Sequence, residues 1–366
     1  MSAPDSAAAL AAAAAADTMA IRRRILRELP REAFTSRRRR AVVVFALAAT
    51  IVALSAALAV LPLPVPAALM LSAACGVLYG SLFFLGHEVG HGAVVRSHGM
   101  QTLLMWPAFT IFLLSPTLWR VWHNRVHHQH TNRDTHDPDN FGALGSYLDS
   151  RAVRFTALLT PGSGRWPSLL YLPTWFTVHS QIVLWRQSRH CRGFESLNRP
   201  RAIIESAAMA AFWCGLGAQL GAWAALEVIV VPMLVANASI MSYIVTNHLL
   251  RPLVEENDPL ASSMSVTTHR LLDLVHFNFS HHTEHHLFPA MSSKYLPLVR
   301  AGLRRHAGGH YLAPPHWKAL LMVFRTPRIH AGNGTLVDPA SGRAVSVDRV
   351  TEALAAADPG IAGARS

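Results

Sequence analysis

Three short stretches concentrate the histidines of this chain: HEVGH at 87–91, HNRVHHQH at 123–130 and HHTEHHLFP at 281–289. On a helix, residues four apart share a face, so His87 and His91 point at one site, and His123 and His127 repeat that spacing. Neighbouring helical residues diverge by roughly 100°. His127 and His128 are therefore suited to two adjacent ions rather than to one. The third stretch repeats the device, with His282 and His285 one turn apart and His286 turned away from His285. With His248 in TNHLL, nine candidate metal ligands stand out: His87, His91, His123, His127, His128, His248, His282, His285 and His286. Imidazole ligation without thiolates suits iron, copper, nickel or zinc.

HEVGH by itself also fits the zinc-protease pattern HExxH, with Glu88 as general base. A catalytic zinc takes three protein ligands and an open position, which the histidines on offer exceed. The clusters are separated by hydrophobic sequence. An iron pair at the mouth of apolar helices would bring dioxygen to a hydrocarbon chain, where acid–base and nucleophilic chemistry find no handle. No P-loop, GxGxxG or Ser-His-Asp pattern competes for the role.

The elements that must carry these clusters are membrane helices. Hydrophobic residues make up 51% of the 366 and charged residues 15%, against about a quarter charged in soluble domains; mean hydropathy is +0.25. The expected class is all-α integral membrane, with four crossings in two hairpins: Ala41–Pro62 with Ala67–Gly86, and Ser206–Trp223 with Val228–Thr246. Leu103–Pro116, broken by Pro107, reads as interfacial or re-entrant, and so does Ser168–Trp185. Residues 131–167, with turn signals in HDPDN and TPGSG, read as a loop. The division expected is 1–40, a disordered Ala-rich tail with a basic surface helix; 41–300, the membrane domain with its histidine cap; and 301–366, a partly disordered C-terminal segment. Arginines at 22–24 and 37–40 precede the first crossing and none lies in the LPLPVP turn, so both termini and all three clusters are expected in the cytoplasm. The net charge of +12 points to an anionic membrane face rather than nucleic acid, because the arginines flank apolar runs. Cys75, Cys191 and Cys214 lack CxxC spacing and imply no disulfide framework.

HEVGH, HNRVHH and HTEHH, with the flanking HLFP and the four-crossing layout, resemble the membrane fatty acid desaturases over residues 40–300. The resemblance implies two non-haem iron ions, dioxygen as co-substrate, and removal of two hydrogens from an acyl chain. It implies the same nine ligands, with His248 matched by position more than by motif. Front-end members begin the third box with Gln and carry a fused cytochrome b5 domain with HPGG. Here the box begins with His282 and HPGG is absent, so the electron donor is expected to be a separate ferredoxin or cytochrome b5-like protein with its reductase. The competing readings are a hydroxylase or ketolase of the same metal architecture, acting on alkanes, carotenoids or sphingolipids, and, from another class, a membrane metal transporter.

Among the neighbours, Glu88, Glu284, His130 and His281 are candidates to hydrogen-bond a ligand's outer ring nitrogen, as are Asn124 and Asn278. His98, His136, His179, His269 and His276 read as structural or exposed. Trp106, Trp119 and Trp122 read as interfacial aromatics.

Overall fold

Alanine has the highest helix propensity of any residue, and the Ala-rich N-terminus is a helix, α1 (Ala3–Glu28), rather than the expected disordered tail. The computed structural model describes residues 3–362 except 135, 141 and 333. Residues 1, 2 and 363–366 of the two expected disordered tails lie outside the described residues. Propensity alone rarely stabilises a lone helix. Tertiary anchors make the difference: Thr18 Oγ1 donates to Asp258 at 2.8 Å, Arg22 Nε to the Leu287 carbonyl at 2.8 Å, and Ile25 is buried.

Among the described residues four helices are long and apolar enough to cross a membrane: α2 (Arg39–Val60), α3 (Val65–Gly90), and two later ones at Arg199–Leu220 and Ala222–His248. The 22 residues of α2 reach about 33 Å at 1.5 Å per residue, one hydrocarbon thickness. Burial divides the four. In its most apolar stretch α3 is 61% buried, against 17% for α2 and for the third span. The inner pair is α3 and Ala222–His248, which approach so closely that a Cβ on Gly76 would collide with Val235.

Between the hairpins the chain bends sharply. Helices α4 (His98–Phe109) and α5 (Pro116–His130) are bent by 106° about a short break. The break holds Leu113 in the left-handed region, φ 53°, and Pro116 opens α5 under a Ser115 cap. The expected interfacial or re-entrant segment, Leu103–Pro116, falls on the first arm and the break of this bend. Beyond it lie α6 (Tyr171–Ile182), α7 (Arg199–Leu220) and α8 (Ala222–His248). The cap Asn198 and Pro200 start α7 seven residues before the expected Ser206. Glu205, one residue before the expected start of the span at Ser206, lies inside α7, where it is buried and accepts from Ser115 Oγ at 2.6 Å and from Thr117, which ties α7 to the bend.

The cap follows: α9 (His282–Leu287), α10 (Leu296–His306) and α11 (His316–Arg325). Two regions depart from expectation. Residues 131–167 contain helices at Leu144–Asp149 and Arg151–Leu159. The C-terminal segment, expected to be loosely packed, forms an antiparallel sheet of β1 (Ile329–His330), β2 (Thr335–Asp338) and β3 (Arg343–Ser346), followed by α12 (Val347–Ala357). The buried carboxylate of Asp358 then binds Arg304 at 2.6 and 2.9 Å and the Ala313 amide at 2.6 Å, fixing that segment to the cap.

Candidate metal centre

The first cluster rides on the last turn of α3, where His91 is the C-cap and its amide bonds the His87 carbonyl. Gly90 leaves room for the Trp119 indole, into which any Cβ would run. The second cluster lies on a π-helical turn, Trp122–His127, within α5. A π-turn brings residues five apart onto one face. His123 accordingly pairs with His128, Nε2 to Nε2 at 3.1 Å, rather than with His127 as the α-helical spacing led us to expect. On α9 the pairing also shifts: His282 sits with His286, Nε2 to Nε2 at 3.0 Å, and His285 faces elsewhere.

All nine histidines meet, in two groups. His87, His91, His123, His128 and His285 form one; His127, His248, His282 and His286 form the other; within each, one ring nitrogen per residue lies within 4.8 Å of all the rest. The vicinal pairs His127/His128 and His285/His286 are thus split between the groups.

Whether these residues fit a metal can be tested on their ring nitrogens. In the first group Nε2 atoms run His87–His123 at 2.8 Å, His123–His128 at 3.1 Å and His128–His285 at 3.1 Å. A neutral imidazole nitrogen is either one donor or one acceptor. The Nε2 of His123 and that of His128 each face two others, so the chain cannot be satisfied by hydrogen bonds alone. The Nε2 of His91, buried beside them, has no partner. In the second group His282 Nε2 lies 2.6 Å from that of His248 and 3.0 Å from that of His286. Two nitrogens about 2.1 Å from one ion at right angles lie roughly 3.0 Å apart, so these spacings match ligands converging on a cation. Burial pushes His282 and His286 well below the ordinary imidazole pKa, and His285 down to about 3. They are neutral at pH 7, the form that ligates.

The outer nitrogens are held from the protein side. His127 Nδ1 donates to Asp137 Oδ1 at 3.2 Å and Asp139 Oδ2 at 3.1 Å, His248 Nδ1 to the Ser262 carbonyl at 3.2 Å, and Thr131 Oγ1 lies 3.4 Å from His286 Nδ1. Asp139 Oδ1 also accepts from Trp122 Nε1 at 3.0 Å and His179 Nε2 at 2.9 Å. His127, Asp137 and Asp139 together would also suit a cation, but with Nδ1 committed to the carboxylates the geometry is that of a ligand oriented from behind. Sequence reading passed over these two aspartates, taking HDPDN as turn signals. Two carboxylates two residues apart, soon after a histidine cluster, were the available sign.

The expected outer partners are placed differently. Glu88 bonds Arg40, Ser292 Oγ at 2.8 Å and Ser293 Oγ at 2.8 Å, and no histidine. Glu284 bonds Ser265, Arg300 Nε at 2.8 Å and Tyr311 OH at 2.6 Å. Burial alone would raise its pKa, and the Arg300 guanidinium, His281 and the hydrogen bonds from Ser265 and Tyr311 together outweigh that and hold it low. Asn124 donates to the Gly90 carbonyl and Asn278 to the Ser293 carbonyl, so both fasten loops rather than rings. His281 meets Ser280 and His130 meets Arg133, outside both groups. His276 bonds Tyr243 OH at 2.9 Å, a structural role as expected.

A cavity of about 1060 Å³ opens against both groups, bounded by His87 and His123 of one and His127, His248 and His282 of the other. Phe83, Trp122, Phe176, Met241 and Phe279 supply apolar wall. Trp119 and Trp122, expected at the membrane interface, are 2% and 4% exposed, and Trp119 stacks on His123 at 4.6 Å. They are walls of the site because the bend after Leu113 turns α5 inward.

The family model for fatty acid desaturases matches residues 63–317. No curated protein matches the chain closely enough to be set beside it. The match spans most of the chain and takes in α3, the bend, the later spans and all three histidine clusters, and on that basis the chain belongs to the fatty acid desaturase family.

Proposed function

We propose that the protein is a di-iron, dioxygen-dependent desaturase of the acyl chain of a lipid or acyl-CoA, reduced by a separate ferredoxin or cytochrome b5-like donor. The observation that carries the reading is that both histidine groups border one apolar cavity large enough for a long ligand. Iron bound at these histidines would supply the one-electron and dioxygen chemistry that an unactivated methylene requires. The chain's own part is positioning. Asp137 and Asp139 keep His127 in the tautomer that leaves Nε2 free. The aromatic walls hold one stretch of hydrocarbon beside the histidines and exclude water. Arg186 and His190, exposed where they border the cavity, suit the polar end of an acyl lipid or acyl-CoA. The histidine side and both termini are assigned to the cytoplasm from the arginines that precede α2.

The test is lipid profiling of cells expressing the chain, with iron quantified on the purified protein. A desaturase removes about 2 mass units from an acyl chain, whereas a hydroxylase adds about 16, by the stoichiometry of the two oxidations. His285→Ala should abolish the product while the protein still inserts. A hydroxylated product would overturn desaturation; unchanged product from His285→Ala would overturn the di-iron assignment.

A further inference from the structure

At the N-terminal end of α2, Arg37, Arg38, Arg39, Arg40 and Lys294 surround a cavity of about 450 Å³ to which Ser36 adds a hydroxyl. Among the described residues only Arg40 of these cations has an acidic partner, Glu88. Among the described residues none of the other four cations has a carboxylate within ion-pair reach. Arg37 and Lys294 instead flank the same aromatic ring, Tyr295, at 5.0 and 5.9 Å. The Nε of Arg37 is buried without a hydrogen-bond partner.

The arrangement opposes ordinary helix electrostatics. The N-terminal end of a helix carries a partial positive charge and favours anions, yet the first turn of α2 has no acidic residue and begins with two arginines after two more. Four uncompensated cations, a helix dipole of the same sign and an open cavity between them call for an anion. The place narrows the choice. The cavity sits at the start of α2, a helix long and apolar enough to cross a membrane, where a spanning helix meets the headgroups, and on the side where the histidine cap lies. We propose that this cavity binds the phosphate diester of an anionic phospholipid headgroup, with Arg38, Arg39 and Lys294 as its principal cations. Because Arg40 borders the cavity and also holds Glu88, Ser292 at 3.2 Å and Ser293 at 2.9 Å, the headgroup lies one side chain away from α3 and from the segment after α9. This site is independent of the desaturase reading, and its test does not use turnover as the primary readout.

The experiment measures phosphatidylglycerol retained by the purified full-length protein, by native mass spectrometry after extraction from phosphatidylcholine bilayers with and without phosphatidylglycerol. The native chain should hold phosphatidylglycerol in preference to phosphatidylcholine. Each of Arg38→Gln, Arg39→Gln and Lys294→Gln should weaken retention about fivefold, and the triple variant on the order of 100-fold. Arg189→Gln with Arg192→Gln, exposed basic residues elsewhere, should leave it unchanged. The single variants keep the test decisive if the triple variant does not fold. Retention by the triple variant equal to native overturns the proposal. Inorganic phosphate displacing the lipid at comparable concentration assigns the cavity to free phosphate and overturns the lipid source. Unchanged lipid retention with lost reduction by an acidic redox protein assigns it to protein docking and also overturns it.

Discussion

Replacing Asp139 by Asn should loosen metal at one histidine group while leaving the other intact. The carboxylate has three donors around it: Trp122 Nε1 at 3.0 Å and His179 Nε2 at 2.9 Å on Oδ1, and His127 Nδ1 at 3.1 Å on Oδ2. An asparagine in the same rotamer offers one oxygen and one NH2. If the NH2 takes the Oδ1 position it faces the indole N–H, which can only donate. If it takes the Oδ2 position it faces His127 Nδ1–H and favours the tautomer with the proton on Nε2, the nitrogen turned to the group. Asp137, at 3.2 Å from the same Nδ1, opposes that switch. The loss should therefore match one outer partner, about 10- to 100-fold in metal affinity, or roughly 1.4 to 2.8 kcal/mol. Asp137→Asn should cost more, because Asp137 also accepts from the amides of Asn132 at 2.9 Å and Asp139 at 3.0 Å and so shapes the loop itself. The assay is iron retained against graded chelator concentrations, with the exposed Asp149→Asn as control. Asp139→Asn should release about half its iron at a chelator concentration the native protein withstands. Retention equal to native, or an equal loss in Asp149→Asn, would refute the orientation argument.

Three further outcomes follow from the same contacts. Burial depresses His276 and His281 to about 4 and His285 to about 3; the unfolded chain therefore takes up protons first at these groups, and their contribution to the stability of the metal-free protein is full above about pH 6.5 and falls toward pH 4, by up to about 1.4 kcal/mol per unit for each group. Thermal unfolding in detergent at about pH 7.5 and pH 5 checks this, and a flat or rising stability on acidification would contradict it. Arg40→Ala strands the 5%-exposed Glu88 carboxylate and should cost about 3 kcal/mol, partly recovered in the double variant with Glu88→Ala; additive losses would show that the pair is not coupled. Gly90→Ala drives a Cβ into the Trp119 ring and should cost about 1–3 kcal/mol with reduced metal content, whereas Gly215→Ala, which meets nothing, should be neutral or slightly stabilising.

The histidine clusters and the membrane spans could be read directly, since ligand type and apolar length are properties of composition and spacing. The pairing within clusters could not. An i, i+4 rule presumes an α-helix, and the π-turn at Trp122–His127 replaces it with i, i+5. Asp137 and Asp139 were hidden for a related reason: their role depends on a loop folding back onto α5, which no local pattern encodes. Glu205 looked like a charge at the edge of a span because hydropathy has no measure of Ser115 and Thr117 waiting to satisfy it. At the N-terminus the alanine run carried strong helical propensity, but the anchors Thr18, Arg22 and Ile25 find their partners more than two hundred residues away.

That distance bears on how the protein is made. Each histidine group draws on early and late chain: the first needs His87 and His285, the second His127 and His286. At ribosomal rates of about 5–20 residues per second, the roughly 200 residues between first and last ligand take about 10 to 40 s to synthesise. During that interval α2 and α3 are already in the bilayer, and α1, whose Arg22 must grip the Leu287 carbonyl, has nothing to grip. A chain halted after residue 280 keeps all four spans and yet neither group complete. The metal groups therefore stay incomplete until translation has passed the third cluster, and the N-terminal helix can close over α9 only once Leu287 has been made.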